Sequence, residues 1–337
     1  MQQSAKILQR RRSSAIAVRS GWRGGAWLLV FLLGASLVPV PSAAQSKVFK
    51  VGTSPIAPAL ALFVANDKGF FKELGYTAAI KKMVGGAVTV PAVESGDINF
   101  GFVNITAIIL AHERGFDIQY VAPGWVFNSE KPGALLLVRK DSPIQSVKDL
   151  EGKKIAVNTI GPSVITMGLR ALARKRGADY AKFISLELPF PQMETSLKNG
   201  FVEAVVAPEP FVALPIGHGV ARRLDDPYGA IAPRFLVATF VAKKSWMATH
   251  REEAQTFHRG LMKAIEYLNA HPDEMPQVLE TNTGLKAELA RRMVMPEIPP
   301  ELRLAHLQVV IDLAAEFGYI KAPFPARGII ADFVPVK

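Results

Sequence analysis

The 337-residue sequence predicts an α/β protein built as two similar lobes. Three observations lead there. Strand-like apolar runs alternate with helical stretches, the order in which parallel strands are joined by helical crossovers. The same grammar occurs twice, over residues 48–104 and again over residues 153–210. Two further apolar runs, Ala134–Val138 and Phe235–Ala242, stand where the chain has to pass between the lobes and return.

Residues 1–44 are unlike the rest. They carry Lys6, Arg10, Arg11, Arg12, Arg19 and Arg23 with no acid, then an apolar run from Ala26 to Val38 and the small-residue site Ser42-Ala43-Ala44. That order reads as a secretory signal peptide. The apolar run is shorter than the roughly 20 residues a membrane span needs. Arg10-Arg11-Arg12 raises the twin-arginine route, but Ser13-Ser14-Ala15 lacks the bulky apolar pair of that signal, which favours the general secretory route. The formal net charge of +11 falls to +5 once these six cations are removed, so the basic balance belongs largely to the targeting segment. Beyond it, clustered cations are confined to short runs such as Arg222-Arg223, too few for a nucleic-acid footprint.

The first repeat opens with the strand VFKVGTS, followed by a helix from Ala59 to Lys68 that Gly69 closes. A strand at Tyr76–Met83, Gly85-Gly86, a short helix ending at Ser95-Gly96 and a closing strand to Asn104 complete it. In the second repeat KKIAVNT is the strand, and a helix runs from Val164 to Arg176. A strand at Phe183–Leu188, a helix at Pro191–Lys198 and the strand Val202–Ala207 follow, with Pro208-Glu209-Pro210 at its end. Ser95-Gly96 and Asn199-Gly200 have one role, a helix C-terminus feeding a strand. Lobe one is expected over residues 45–138 and 240–337, and lobe two over residues 139–239. The last part of the chain is mainly helical. Thr249-His250-Arg251-Glu252 reads as a capping box. Ala254, Phe257, Leu261, Ile265 and Leu268 then recur at helical spacing, as do Leu304, Leu307, Ile311 and Ala314. These stripes are core faces.

The sequence carries no constellation for reactive chemistry. There is no cysteine, which removes disulfides, thiolate nucleophiles and cysteine metal sites, and also a lipid-modified cysteine anchor. The six histidines form no H-E-x-x-H pair, no GxSxG elbow or Walker loop occurs, and Gly217-His218-Gly219 lacks the third glycine of a dinucleotide fingerprint. Asp225-Asp226 before Pro227 reads as a turn, and His250 and His258 as solvated. Neither catalytic residue, metal nor cofactor is expected.

Open α/β sheets bind ligands beyond the carboxyl ends of their strands. With two lobes facing each other, that rule selects Thr53, Ser54 and Pro55, then Gly85, Gly86 and Asn104 in lobe one. In lobe two it selects the loop Asn158–Ser163, with Thr159, Gly161 and Ser163 as ligand-binding candidates, and Glu209. Trp125 follows the strand Ile118–Ala122 and either walls a cleft or packs in the core. Helix N-termini at these loops suit an anion without arginine, each contributing about 0.3–1 kcal/mol. Glu209 favours instead a ligand with N–H donors, unless it holds a backbone N–H and is structural.

The segments ALALFVANDKGFFKELG (59–75), ESGDINFG (94–101), VKDLEGKKIAVNT (147–159) and VEAVVAPEPF (202–211) resemble the nitrate/sulfonate/taurine family of ABC-transporter substrate-binding proteins, related to the thiamine-pyrimidine-binding proteins. The resemblance covers essentially all of the chain after residue 44. It implies a type II periplasmic binding protein: two α/β lobes joined by two crossing segments around a ligand cleft. Export without a lipid-modified cysteine fits the periplasm, where a second membrane retains the protein, and a monomer is expected. The resemblance also implies a small-molecule ligand (sulfonate, carboxylate or heteroaromatic) delivered to an ABC permease and its ATPase. Glu209-Pro210 matches a pair usual in the family, which favours a structural role for Glu209. The cysteine-rich motif of the fungal pyrimidine synthases is missing, which disfavours that enzymatic alternative. A receptor docking on a sensor or tripartite carrier is the other alternative.

Overall fold

The computed structural model describes residues 46–83 and 85–337; the signal peptide expected over residues 1–44 lies outside them. The first sheet begins with β1 (Lys47–Thr53), which leads through a 3-10 turn at Ala57–Ala59 into α1 (Leu60–Asp67) and α2 (Phe70–Glu73). Then come β2 (Tyr76–Lys82), α3 (Gly86–Ser95), β3 (Phe100–Asn104), α4 (Ile105–Glu113) and β4 (Ile118–Pro123). The short β5 (Val126–Asn128) carries the chain to β6 (Ala134–Arg139) and the second sheet. There β7 (Lys154–Val157), α5 (Val164–Arg176), β8 (Ile184–Glu187), α6 (Phe190–Lys198) and β9 (Ala204–Pro208) repeat the order of the first. After α7 (Ala213–Gly217) and β10 (Ala221–Asp225), the chain returns through β11 (Arg234–Leu236) to β12 (Ala238–Lys243). The remainder is α8 (Lys244–Thr249), α9 (Arg251–Ala270), α10 (Met275–Thr283), α11 (Ala287–Ala290) and α12 (Leu304–Glu316).

The sheets have one plan. The first runs β2-β1-β3-β12-β4 and the second β8-β7-β9-β6-β10. In each, three parallel strands are followed by one antiparallel strand, β12 or β6, brought in by a crossing connection, and then by an edge strand. The two crossings run side by side as the antiparallel ribbon β5–β11, in register from Val126↔Leu236 to Asn128↔Arg234. This is the two-lobed α/β fold with two crossing segments that the sequence predicts, but the crossings are β5 and β11; Ala134–Val138, expected to cross, is β6 inside the second sheet, paired with β9 and β10.

Phe235–Ala242, read as one apolar run, is two strands. The break falls at Val237, where the Trp125 carbonyl accepts both the Val237 and Ala238 N–H groups at 2.8 and 3.2 Å.

The first lobe is held by stacked aromatic rings. Phe100 of β3 and Phe257 of α9 stack with centroids 3.7 Å apart, and Phe49 of β1 stacks on Tyr76 of β2 at 4.3 Å. Such pairs add about 0.5–1.5 kcal/mol beyond the area they bury. The α9 stripe from Ala254 to Leu268 is buried as its spacing requires. Strand β6 shows period-2 alternation inside a sheet covered on both faces: Leu135 and Leu137 pack with Met193 and Leu197 of α6, while Leu136 and Val138 face the main core.

Two local expectations are corrected. The start of α9 is not a capping box: its N-cap is His250 with no side-chain cap bond, because Thr249 ends α8 and donates its hydroxyl to the Trp246 carbonyl. His258 is not solvated; its Nδ1 lies 2.8 Å from the Val121 carbonyl, and burial holds the imidazole pKa below its ordinary value. Asp226 does form the expected turn, its carboxylate accepting from the Tyr228 and Gly229 N–H groups.

Candidate functional site

The carboxyl ends of strands from both sheets meet at one small cavity. Ala57 and Pro58, just beyond β1, form one side, and Gly133, Pro208 and Glu209, at the start of β6 and the end of β9, form the other. Trp125 lies between them, and Val294 and Pro296 close it from the C-terminal segment. The space these residues line is only about 10 Å³, no more than a single water occupies.

Of the ligand-binding candidates, Trp125 and Glu209 line this cavity, next to Pro58. The indole of Trp125 is 6% exposed, so it serves both the wall and the core. Its ring lies 5.9 Å from that of Tyr228 and limits what can replace Gly133, whose added Cβ would stand 3.3 Å from the indole. Glu209 is 5% exposed. One carboxylate oxygen accepts the Ala213 N–H at 2.9 Å and the other the Val294 N–H at 3.2 Å, so the side chain ties the end of β9 to the C-terminal segment. Burial raises its pKa, and the backbone N–H groups of Ala213, Val294 and Val212 oppose that shift.

The remaining candidates sit at strand ends of their own sheets and do not line the cavity. Thr53 and Ser54 end β1; the Thr53 hydroxyl donates to the Ser54 carbonyl at 3.0 Å and the Ser54 hydroxyl to that of Met83 at 2.6 Å, with the half-buried Pro55 beyond. Gly85, with φ 80, is the N-cap of α3 and offers no side-chain cap, while Gly86 lets α3 approach Ala107 of α4. Asn104 caps α4, its Oδ1 accepting the Ala107 N–H at 2.9 Å and the Thr106 hydroxyl at 2.6 Å. In the second lobe the Thr159 hydroxyl donates to the Asn158 carbonyl at 2.8 Å, and Gly161 takes φ 105. Ser163 forms a reciprocal capping box with Thr166 at the start of α5. Each hydroxyl thus has a local partner. Two groups at the strand ends do not: the first turn of α3 has no side-chain cap, and Asn158 Oδ1 is buried without a hydrogen-bond partner.

Ala57, Gly133, Pro208, Val294 and Pro296 were not among the sequence candidates. Alanine, glycine, proline and valine carry no chemical signal of ligand contact, and Val294 reaches the site only through a bond across 85 positions of chain. Among the described residues no cluster of His, Cys, Asp or Glu is arranged to hold a metal ion, and no helix is long and apolar enough to cross a membrane.

Comparison with known proteins agrees with this architecture. The formylaminopyrimidine-binding protein of Halalkalibacterium halodurans is 25% identical over 225 residues, covering 66% of this chain and 66% of that protein. The alkanesulfonate-binding protein SsuA of Xanthomonas axonopodis pv. citri, solved bound to MOPS, superposes with a TM-score of 0.70 at 18% identity over 86% of this chain and 99% of that one. The periplasmic nitrate-binding protein NrtA of Synechocystis PCC 6803 does so with a TM-score of 0.69 at 16% identity, covering 85% of each chain. These two structures share the fold. The model of the family described as NMT1/THI5 like matches residues 58–275, from the turn beyond β1 to the start of α10. The chain belongs to the NMT1/THI5-like family.

Proposed function

We propose that this protein is a non-enzymatic solute receptor of an ABC importer, exported to the periplasm by residues 1–44 and closing on its ligand as a monomer. One observation carries the reading: the carboxyl ends of β1 and β9, from different sheets, share one cavity with Trp125. As it stands the space holds no more than a water, so a ligand enters only when the lobes part; held between these strand ends it touches both lobes, and only such contacts favour the closed arrangement over the open one. The hinge is the β5–β11 ribbon, somewhat ahead of the lobe limits expected near residues 139 and 240. The binding proteins for sulfonate, nitrate and formylaminopyrimidine described above support a small ligand with an acidic or heteroaromatic group. The uncapped turn of α3 suits an anionic oxygen, and the buried Asn158 Oδ1 suits an N–H or O–H donor; Thr53, Ser54, Asn104, Thr159 and Ser163 shape the loops that bring these groups to the ligand.

A thermal-shift screen of alkanesulfonates, nitrate, aromatic carboxylates and formylaminopyrimidines tests this. A true ligand at 100 times its Kd adds about 2.7 kcal/mol to stability, and Trp125→Ala should weaken it at least tenfold. Indifference of the protein to every solute, or affinity unchanged in Trp125→Ala, rejects the cleft; chemical turnover of a bound solute rejects the receptor.

A further inference from the structure

A second and larger cavity, of about 350 Å³, lies at the other end of the first sheet. Gln119, at the start of β4, lines it together with Lys244, the first residue after β12. Because β12 is antiparallel to β3, its last residues lie beside the first residues of β3, as in the pair Ala242↔Phe100. The cavity is thus at the amino ends of the parallel strands, whereas the cleft candidates are at their carboxyl ends.

Its lining has two characters. Met247, Ala248, Ile330, Ala331 and Phe333 make an apolar wall, and Lys244, Arg251, Arg327 and Asp332 bring three cations against one carboxylate. Asp332 is engaged by Arg251 at 2.9 and 3.0 Å. The Arg327 guanidinium is fixed by the carbonyls of Asp332 and Val334, each at 3.2 Å, and has no carboxylate within ion-pair distance among the described residues. The Lys244 ammonium forms no ion pair among them either. The nearby acids do not line the cavity: the Asp117 carboxylate accepts the Ser245 N–H, and Glu252 and Glu253 stand in the first turn of α9. The volume falls at the lower end of the roughly 300–1,000 Å³ common to small-molecule sites.

We propose that this cavity is a second binding site, separate from the cleft, for an amphiphilic organic anion: an acidic head group at Lys244 and Arg327 and a short hydrocarbon body against Met247, Ile330 and Phe333. A free acid and the head group of an acidic lipid share that chemistry, so the test has two arms. Calorimetric titration of the purified protein with sodium octanoate reads the free acid. Cosedimentation with phosphatidylcholine vesicles, with and without phosphatidylglycerol, reads the lipid. Lys244→Glu reverses one charge, and Ala248→Trp fills the cavity from an exposed position; urea midpoints establish that both variants fold. Binding in either arm that falls at least tenfold in both variants and is unaltered in Trp125→Ala establishes the site and assigns its source. Absence of binding in both arms, or binding that neither variant changes, overturns it.

Discussion

Gly86 sets the spacing of the two helices that begin at the first-lobe strand ends, and replacing it with alanine tests that packing directly. The added Cβ would stand 2.5 Å from the Cβ of Ala107, where carbon atoms normally rest about 3.5–4.0 Å apart. Both atoms are fixed to helix backbone, so neither can swing away. Relief requires α3 and α4 to separate by roughly 1 Å. Overpacking of this kind costs about 1–3 kcal/mol. The opposing gain from replacing a glycine in a helix is at most ~1 kcal/mol and smaller here, because Gly86 opens the helix. A net loss of about 1–2 kcal/mol is expected for Gly86→Ala in urea unfolding. Ala107→Gly alone should cost up to ~1 kcal/mol. The pair together should be more stable than the sum of the two losses implies, because the second change removes the atom the first one strikes. Unchanged stability in Gly86→Ala, or strict additivity in the pair, would refute the close approach as the reason for glycine.

Three further outcomes follow from the same structure. Ser163→Ala removes one half of the capping box of α5, and Asn104→Ala removes an acceptor from two donors at α4; each should lose about 0.5–2 kcal/mol in chemical denaturation, and equal stability in either variant would show its cap to be redundant. The folded-state pKa of Glu209 is raised, chiefly by burial, so its contribution is fully present below the ordinary carboxylate pKa and declines as pH rises through the folded value. The stability difference between the protein and its Glu209→Gln variant should therefore shrink from acid to neutral pH, and a difference that grows would mean that the backbone N–H groups outweigh desolvation. For His258 the sign is opposite: its lowered pKa places stability above the ordinary imidazole value, to be lost as pH falls. His258→Gln should flatten the decline between neutral pH and about pH 5, and an unaltered slope would assign that decline to other groups.

The Glu209 contest also illustrates what a sequence leaves open. The sequence places Glu209 at the carboxyl end of a strand and allows it either a ligand or a backbone N–H. The choice depends on Val294, which is remote in sequence and carries no motif; only the folded chain brings its N–H within 3.2 Å. The same limit explains His258. Its position off the apolar stripe of α9 suggests a wet face, but that stripe says nothing of β4, whose Val121 carbonyl covers it. The capping box at Thr249 failed because α8 claims that residue, whereas the one at Ser163 formed without a glutamate, through the hydroxyl of Thr166.

By itself the sequence determined the repeated strand–helix order, the glycine stops and the buried stripe of α9. All of these depend on residues within a few positions of one another, where backbone geometry and hydrophobic period act directly. Tertiary structure alone decided that β6 and β12 insert antiparallel into sheets of the same plan, that the crossings pair as a ribbon, and that the C-terminal segment closes the cleft against Trp125 and Glu209. Those contacts join residues far apart in the chain, and their energy comes from surfaces that exist only once both lobes have folded.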